Sequence, residues 1–254
     1  MRVARLAIAP VKGLGLVHPE EALLGRNGIR NDRRFYLVDA DGRLVNNKTC
    51  GELVQVRPNV SEDAHRLTLG FPSGDAVGGE VVLGAAVETS FYGRPVTGRY
   101  VEGPWSEALS EHAARPLRLV RTDEPGAAID RTHVVSLISD GSLAALSRQV
   151  GVDGVDGRRF RMTVEFEGCA EHEEDGWIGG EVEVGEARIR VTGPVGRCVV
   201  TTRNPETGES DLDTLGALAG YRTLREGKSF GCGVCGDVLA EGVVRVGDSL
   251  VRGR

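Results

Sequence analysis

VTGPVGRCVVTTRNPETGE, residues 191–209, shows the organisation of the chain in miniature. Gly193 just before Pro194 and Gly196 two residues after it mark a turn. The β-branched run CVVTT comes next and reads as a strand over residues 198–202. PETG then reads as a second turn at residues 205–208. Outward in both directions the same rhythm continues, and 36 glycines punctuate short apolar runs. Strands are expected at residues 2–9, 33–39, 65–71, 80–83, 87–92 and 94–101, and this spacing suggests a barrel or sandwich. Further strands are expected at 132–139, 161–167, 180–184 and 187–191, with a closing pair in 242–253. Helices are expected at 105–115, from Asp140 through DGSLAALSRQV with Ser139 or Asp140 as N-cap, and briefly from Asp211. The fold class is therefore mixed but mainly β. A domain boundary falls near residues 105–125.

The chain has 254 residues, ample for one large or two small cores. A 40% hydrophobic and 27% charged composition is that of a globular protein. The net charge of −6 gives no reason to expect a nucleic-acid or anionic-membrane partner. The first residues lack a leader-like apolar core with a cleavage site, and no apolar run reaches 18 residues. A cytoplasmic protein is the expectation. Basic charge is almost all arginine. Lysine stands only at Lys12, Lys48 and Lys228, so each is of more interest than any single arginine.

Five cysteines in a chain of this length are not a secreted disulfide framework. Cys198 sits where the turn becomes the apolar run. There a thiolate can reach outward while the backbone fixes its direction, and Arg197 beside it can stabilise that thiolate or bind an anion. The same position also suits an ordinary buried cysteine, and local physics leaves both readings open. Cys232 and Cys235 have CxxC spacing. They read as a redox dithiol, a sulfur-handling pair, half a metal site or an incidental pair, since one CxxC cannot complete a four-ligand zinc site.

An ordered set of motifs adds to this. PVKGLG (10–15), DRRFYLVDADG (32–42), SLISDGSLAALSRQ (136–149) and RRFRMTVEFEGCAEHEEDGW (158–177) precede GRCVVTTRNPETGE (196–209). Tyr221–Arg222 as a YR pair, Phe230–Gly231 as FG, and VRVGD (244–248) complete the series. In order and rough spacing the set resembles the MOSC domain and its N-terminal β-barrel companion. The same pair of modules occurs in the mitochondrial amidoxime-reducing component and at the C-terminus of molybdenum cofactor sulfurases. The resemblance implies a β-barrel domain over residues 1–115 and a MOSC domain over 116–254, with the first strands packing on either.

It also implies a pterin-bound molybdenum cofactor with Cys198 as the protein's metal ligand and catalytic residue. The cofactor-binding residues implied are Lys12, Gly13, Arg33 or Arg34, Thr132, His133, Arg161, Thr163, Gly196, Arg197 and Gly233. Soft sulfur donors suit such a metal, and cationic groups suit the pterin phosphate. Lys12, Arg33, Arg34 and Arg161 have an ordinary alternative as solvated surface cations, His133 as a structural histidine, and EHEEDGW (171–177) as a solvated loop. Within that loop Glu174 or Asp175 could orient an arginine. Departures from the family pattern are Thr163 in place of an asparagine, Gly196 in place of a larger residue, and the cysteines of FGCGVCGDV (230–238).

The implied activity is reduction of N-hydroxylated or N-oxide small molecules. No iron–sulfur or flavin motif is present, so electrons would come from a separate ferredoxin-like or cytochrome b5-like protein with its reductase. The alternatives are a carrier of sulfur as a cysteine persulfide and a non-catalytic cofactor carrier. In sulfurases this module accompanies a pyridoxal phosphate-dependent desulfurase, for which this chain has no room.

Overall fold

The computed structural model describes residues 1–129, 133–225 and 229–253. Its largest sheet runs, in spatial order, Arg2–Leu6, Val164–Glu167, Val135–Ser139, Ser229–Ala240, Ala187–Gly196, Glu181–Val184 and Leu250–Arg252. Leu224–Arg225 pairs onto Ser229–Ala240 as an eighth strand. The two ends of the sheet almost meet. Leu250 N donates to Met1 O at 3.0 Å and Val3 N to Asp248 O at 2.9 Å, which nearly closes a barrel. Alternate residues from these strands, among them Leu137, Val164, Phe166, Val182, Ile189 and Val234, fill its interior. A five-stranded sheet, Leu44–Val45, Phe35–Val38, Arg118–Thr122, Arg94–Glu102 and Val82–Phe91, carries the second core. Trp105 is buried there with its Nε1 donating to Leu67 O at 3.2 Å. The mainly β expectation holds.

The helix expected after Ser139 spans Asp140–Val150. Ser139 caps it by accepting from Ser142 N at 2.9 Å. The other two α-helices are shorter than expected, Trp105–His112 and Thr214–Tyr221. Both closing strands exist but do not pair with each other: Gly242–Arg245 joins Glu21–Gly25, and Leu250–Arg252 joins Glu181–Val184.

Three expectations fail in informative ways. Residues 198–202 are not a strand; Val199–Thr202 is a 3-10 turn. The hydroxyls of Thr201 and Thr202 donate to Cys198 O at 3.1 Å and Val199 O at 2.8 Å, a local alternative to a sheet ladder. Arg161 and Arg33 precede their strands rather than lie in them, each with φ 52°. The acidic segment is no solvated loop. Its residues Glu173–Trp177 form a 3-10 helix in which Glu174 and Trp177 are buried. Glu174 accepts from Ser139 Oγ at 2.9 Å and Ser142 Oγ at 2.5 Å, anchoring the segment to the helix start. Asp175 does orient an arginine, pairing with Arg222 at 2.5 Å.

Candidate functional site

The strands Ala187–Gly196 and Ser229–Ala240 set the geometry. Their register slips between Val191 and Gly193 and again between Pro194 and Gly196. Bulges of this kind bend a strand and re-aim the residues beyond the bend. The chain leaves the barrel at Gly196, and Cys198 emerges at the mouth of a pocket of about 230 Å³ with its backbone still extended. Cys198 is exposed, whereas Cys50, Cys232 and Cys235 are buried and Cys169 is half-buried. Burial pushes the Cys50 and Cys169 thiols up to about 12 and that of Cys232 up to about 11, so these resist ionisation at neutral pH.

The pocket gathers most of the residues singled out in the sequence. Lys12, Gly13, Arg33, His133, Arg161, Thr163, Gly196, Arg197 and Cys198 all line it. Arg34 does not line it; its Nη1 turns to Thr122 Oγ1 at 3.0 Å, so of the two neighbours only Arg33 faces the pocket. The positive φ at Arg33 separates these neighbours, sending one guanidinium inward and the other across the sheet. Gly233, at φ 73°, lies beneath the pocket wall, where an added Cβ would stand 2.8 Å from Met162 Cε. Thr132 lies outside the described residues.

Each wall has a local cause. Lys12 comes just after a bend at Pro10; its Nζ donates to Ala128 O at 2.9 Å and lies 5.5 Å from the Phe91 ring centroid. Gly13, at φ 95°, lets Asn46 approach so closely that a Cβ would meet Asn46 Cα at 2.8 Å. Arg33 is ion-paired with buried Asp32, which also accepts from Ala9 N at 2.8 Å. Arg161 Nη2 donates to Leu14 O at 2.7 Å. Burial, then repulsion from Arg33, holds the Arg161 guanidinium down to about 9. Thr163 donates its N–H to Ser136 Oγ at 3.1 Å, and its hydroxyl lies 3.2 Å from the same oxygen.

Arg197 is buried directly behind Cys198. It donates Nε to Cys232 O at 2.8 Å, Nη1 to Phe160 O at 3.1 Å and Nη2 to Met162 Sδ at 2.9 Å. Burial lowers it to about 10, so it stays protonated at neutral pH. It therefore braces the strand that delivers Cys198 and places a fixed positive charge near a thiolate there.

Asn46, Asn47, Lys48, Tyr92, Ser136 and Arg159 also line the pocket, and sequence reasoning missed them as site residues. One signal was present, the rarity of lysine: Lys12 and Lys48 both line this pocket, while Lys228 lies outside the described residues. No Asp or Glu is among the described lining residues, against six Lys and Arg. In a chain of net charge −6 this is a concentrated anion-attracting surface. Among the described residues no three His, Cys, Asp or Glu side chains are grouped to hold a metal ion, so a metal at Cys198 would bring most of its own ligands. A dithiolene-held metal with one protein thiolate, and a phosphate on its organic part, fits this donor set.

Cys232 and Cys235 lie in the strand Ser229–Ala240 beneath this site, not in the pocket wall. The Cys235 thiol donates to Gly193 O at 3.2 Å, and all five cysteines are reduced thiols. Among the described residues no helix is long and apolar enough to cross a membrane.

Residues 124–251 match the family model of the MOSC domain, and residues 1–98 match the MOSC N-terminal beta barrel domain. The chain is 26% identical to a mitochondrial amidoxime-reducing component 1 of Xenopus laevis, over 98% of this chain and 81% of that protein. It is 27% identical to a molybdenum cofactor sulfurase of Drosophila persimilis, over 89% of this chain but only 31% of that longer protein. The YuaD protein of Bacillus subtilis superposes with a TM-score of 0.49 at 10% identity, covering 98% of this chain and 93% of its own.

Proposed function

We propose, from the premise that this chain belongs to the MOSC domain family, that it binds a pterin molybdenum cofactor through Cys198 and reduces N-oxygenated small molecules. The observation that carries this reading is the exposed Cys198 thiol opening into a cationic pocket with no carboxylate among its described lining residues. Bound there, the cofactor supplies two-electron removal of an oxygen atom from an N–O bond, the oxygen leaving as water once two protons and two electrons arrive.

The chain's own residues do the rest. Cys198 provides the thiolate ligand, and the Arg197 charge behind it offsets the negative charge of that sulfur. Lys12 and Arg33 hold the pterin phosphate, for which a fixed cationic end is needed. Arg161, kept charged at neutral pH at some cost from burial, gains most from an anion beside it. Thr163 and Ser136 offer hydroxyls where the family pattern has an amide. Tyr92, largely exposed at a hairpin tip, and Lys48 form the outer rim that a substrate passes. Electrons come from a separate protein, ferredoxin-like or cytochrome b5-like, with its reductase.

Dithionite-reduced, cofactor-loaded protein is expected to convert benzamidoxime to benzamidine in repeated turnovers, monitored by chromatography of the product. Loaded protein with no turnover on several amidoximes, hydroxylamines and N-oxides would contradict the reductase reading. It would favour carriage of the cofactor, or of sulfur on Cys198, a reading also consistent with the exposure of that thiol.

A further inference from the structure

Beside the Cys198 pocket lies a second cavity, of about 270 Å³. Arg57, Arg158, Arg159, Arg161 and Arg203 line it. Asn47, Arg159, Arg161 and Val200 line both cavities, so the two are contiguous. Its arginines come from three places in the chain: the segment after Gly51–Gln55, the 3-10 helix Gly157–Phe160 with its C-cap, and the residue after Val199–Thr202.

The charges do not cancel. Arg57 and Arg158 share Glu206. Arg158 also holds Asp156 at 2.6 Å, and Arg159 holds Asp211 at 2.6 Å. Arg161 donates to Leu14 O at 2.7 Å, and Arg203 donates to Gly208 O at 2.7 Å and Lys48 O at 3.2 Å; these are carbonyls and carry no charge. Among the described residues, the five guanidiniums therefore have three carboxylates as partners. The buried Nε atoms of Arg159 and Arg203 have no hydrogen-bond partner, and Arg159 as a whole is only 8% exposed. Leaving donors of a buried cation unsatisfied is costly, and the excess positive charge of these guanidiniums favours an anion beside them.

We propose that this arginine pocket is a second anion subsite, contiguous with the Cys198 pocket, that takes a phosphate or diphosphate group. Planar guanidiniums match phosphate oxygens in pairs, and the cavity has room for such a group rather than for a whole nucleotide. Two sources share this chemistry: a nucleotide extension of the bound pterin, whose diphosphate would cross from one cavity to the other, or the anionic group of a substrate. The subsite stands whether or not Cys198 holds a metal, because none of its five arginines depends on that sulfur.

The test is calorimetric titration of cofactor-free protein with inorganic pyrophosphate at low and high salt. Saturable binding is expected, weakening as salt rises. Arg203→Gln is expected to weaken it by about tenfold, the loss of one charge-assisted contact. Glu206→Gln removes the carboxylate competing for Arg57 and Arg158, and is expected to tighten binding severalfold, on the order of 3-fold or more. An unstable variant cannot mimic that gain. Arg43→Gln, at an exposed turn away from the cavity, should leave binding unchanged. No saturable binding, or binding that neither Arg203→Gln nor Glu206→Gln alters, would overturn the proposal. If cofactor-loaded protein no longer binds pyrophosphate, the cofactor's own tail fills the subsite. If it still binds, the subsite faces an anionic substrate.

Discussion

An Arg197→Ala protein is expected to be less stable than the parent by about 2–5 kcal/mol and to retain little cofactor. The guanidinium satisfies the carbonyls of Cys232 and Phe160 and the sulfur of Met162 from a buried position. Deleting it orphans two buried acceptors, each costing roughly 1–3 kcal/mol, and leaves a void against the Phe160 ring. Arg197→Lys keeps the charge but not the planar fork, so it is expected to recover only part of the loss. Urea unfolding monitored by tryptophan fluorescence measures both. An unchanged midpoint in Arg197→Ala would mean that the brace behind Cys198 contributes nothing. The cofactor loss is expected because Arg197 ties the chain just before Cys198 to the neighbouring strand at Cys232 and to Phe160.

Gly208→Ala is expected to cost a comparable amount, about 2–5 kcal/mol, for a different reason. Gly208 has φ 79°, and a Cβ there would overlap the carbonyl of Gly51 and stand 2.8 Å from Glu52 N. The left-handed backbone costs alanine roughly 1–2 kcal/mol and the overlap roughly 1–3 kcal/mol more. Gly151 is a matched control, since it has the same φ of 79° but nothing within 4 Å of its Cβ position. Gly151→Ala should therefore show the backbone part alone. Equal losses in the two variants would refute the claim that the turn at residues 204–208 is pressed against the 3-10 helix Gly51–Gln55. That contact matters beyond stability. The turn carries Glu206, which pairs with Arg57, and its Thr207 carbonyl accepts from Gln55 Nε2 at 2.8 Å. Asn204 and Pro205 of the same turn line the arginine cavity.

How much of this was legible in the sequence depended on which physics dominated. The helix after Ser139 was readable because its cap, its apolar spacing and its final Gly151 are all local signals. The strand Ser229–Ala240 was not, although it is central to the barrel. Its glycines read as breaks, yet Gly236 is there because an added Cβ would overlap Arg190 O on the adjacent strand, and Gly233 supplies a left-handed kink. Such needs belong to the neighbouring strand and leave no local trace. CVVTT read as a strand because β-branched residues favour one. Two threonine hydroxyls bonding back to the chain, and Thr201 meeting Thr214 at 2.7 Å, tipped it into a turn.

The site shows the same division. The motif resemblance singled out Lys12, Arg161 and Cys198, which the fold brings to one pocket from positions 186 residues apart at the extremes. It could not choose between Arg33 and Arg34, because which of them faces the pocket depends on a single positive φ. Nor could it anticipate Asn46, Lys48 and Tyr92, which reach the rim through the tertiary contact at Gly13 and the hydrogen bond from Asn46 Nδ2 to Tyr92 OH at 3.3 Å.

The central claim is that Cys198 holds a pterin molybdenum cofactor in the pocket whose described lining residues carry no carboxylate. Its most direct test is molybdenum and pterin content per chain in the parent and a Cys198→Ala variant, both made in a host that synthesises the cofactor. The parent should carry about one of each per chain. Cys198→Ala should remain folded, since the side chain is exposed, while molybdenum falls by about 10–100-fold or more. A parent protein free of molybdenum and pterin, or a variant that keeps its molybdenum in full, would contradict the account.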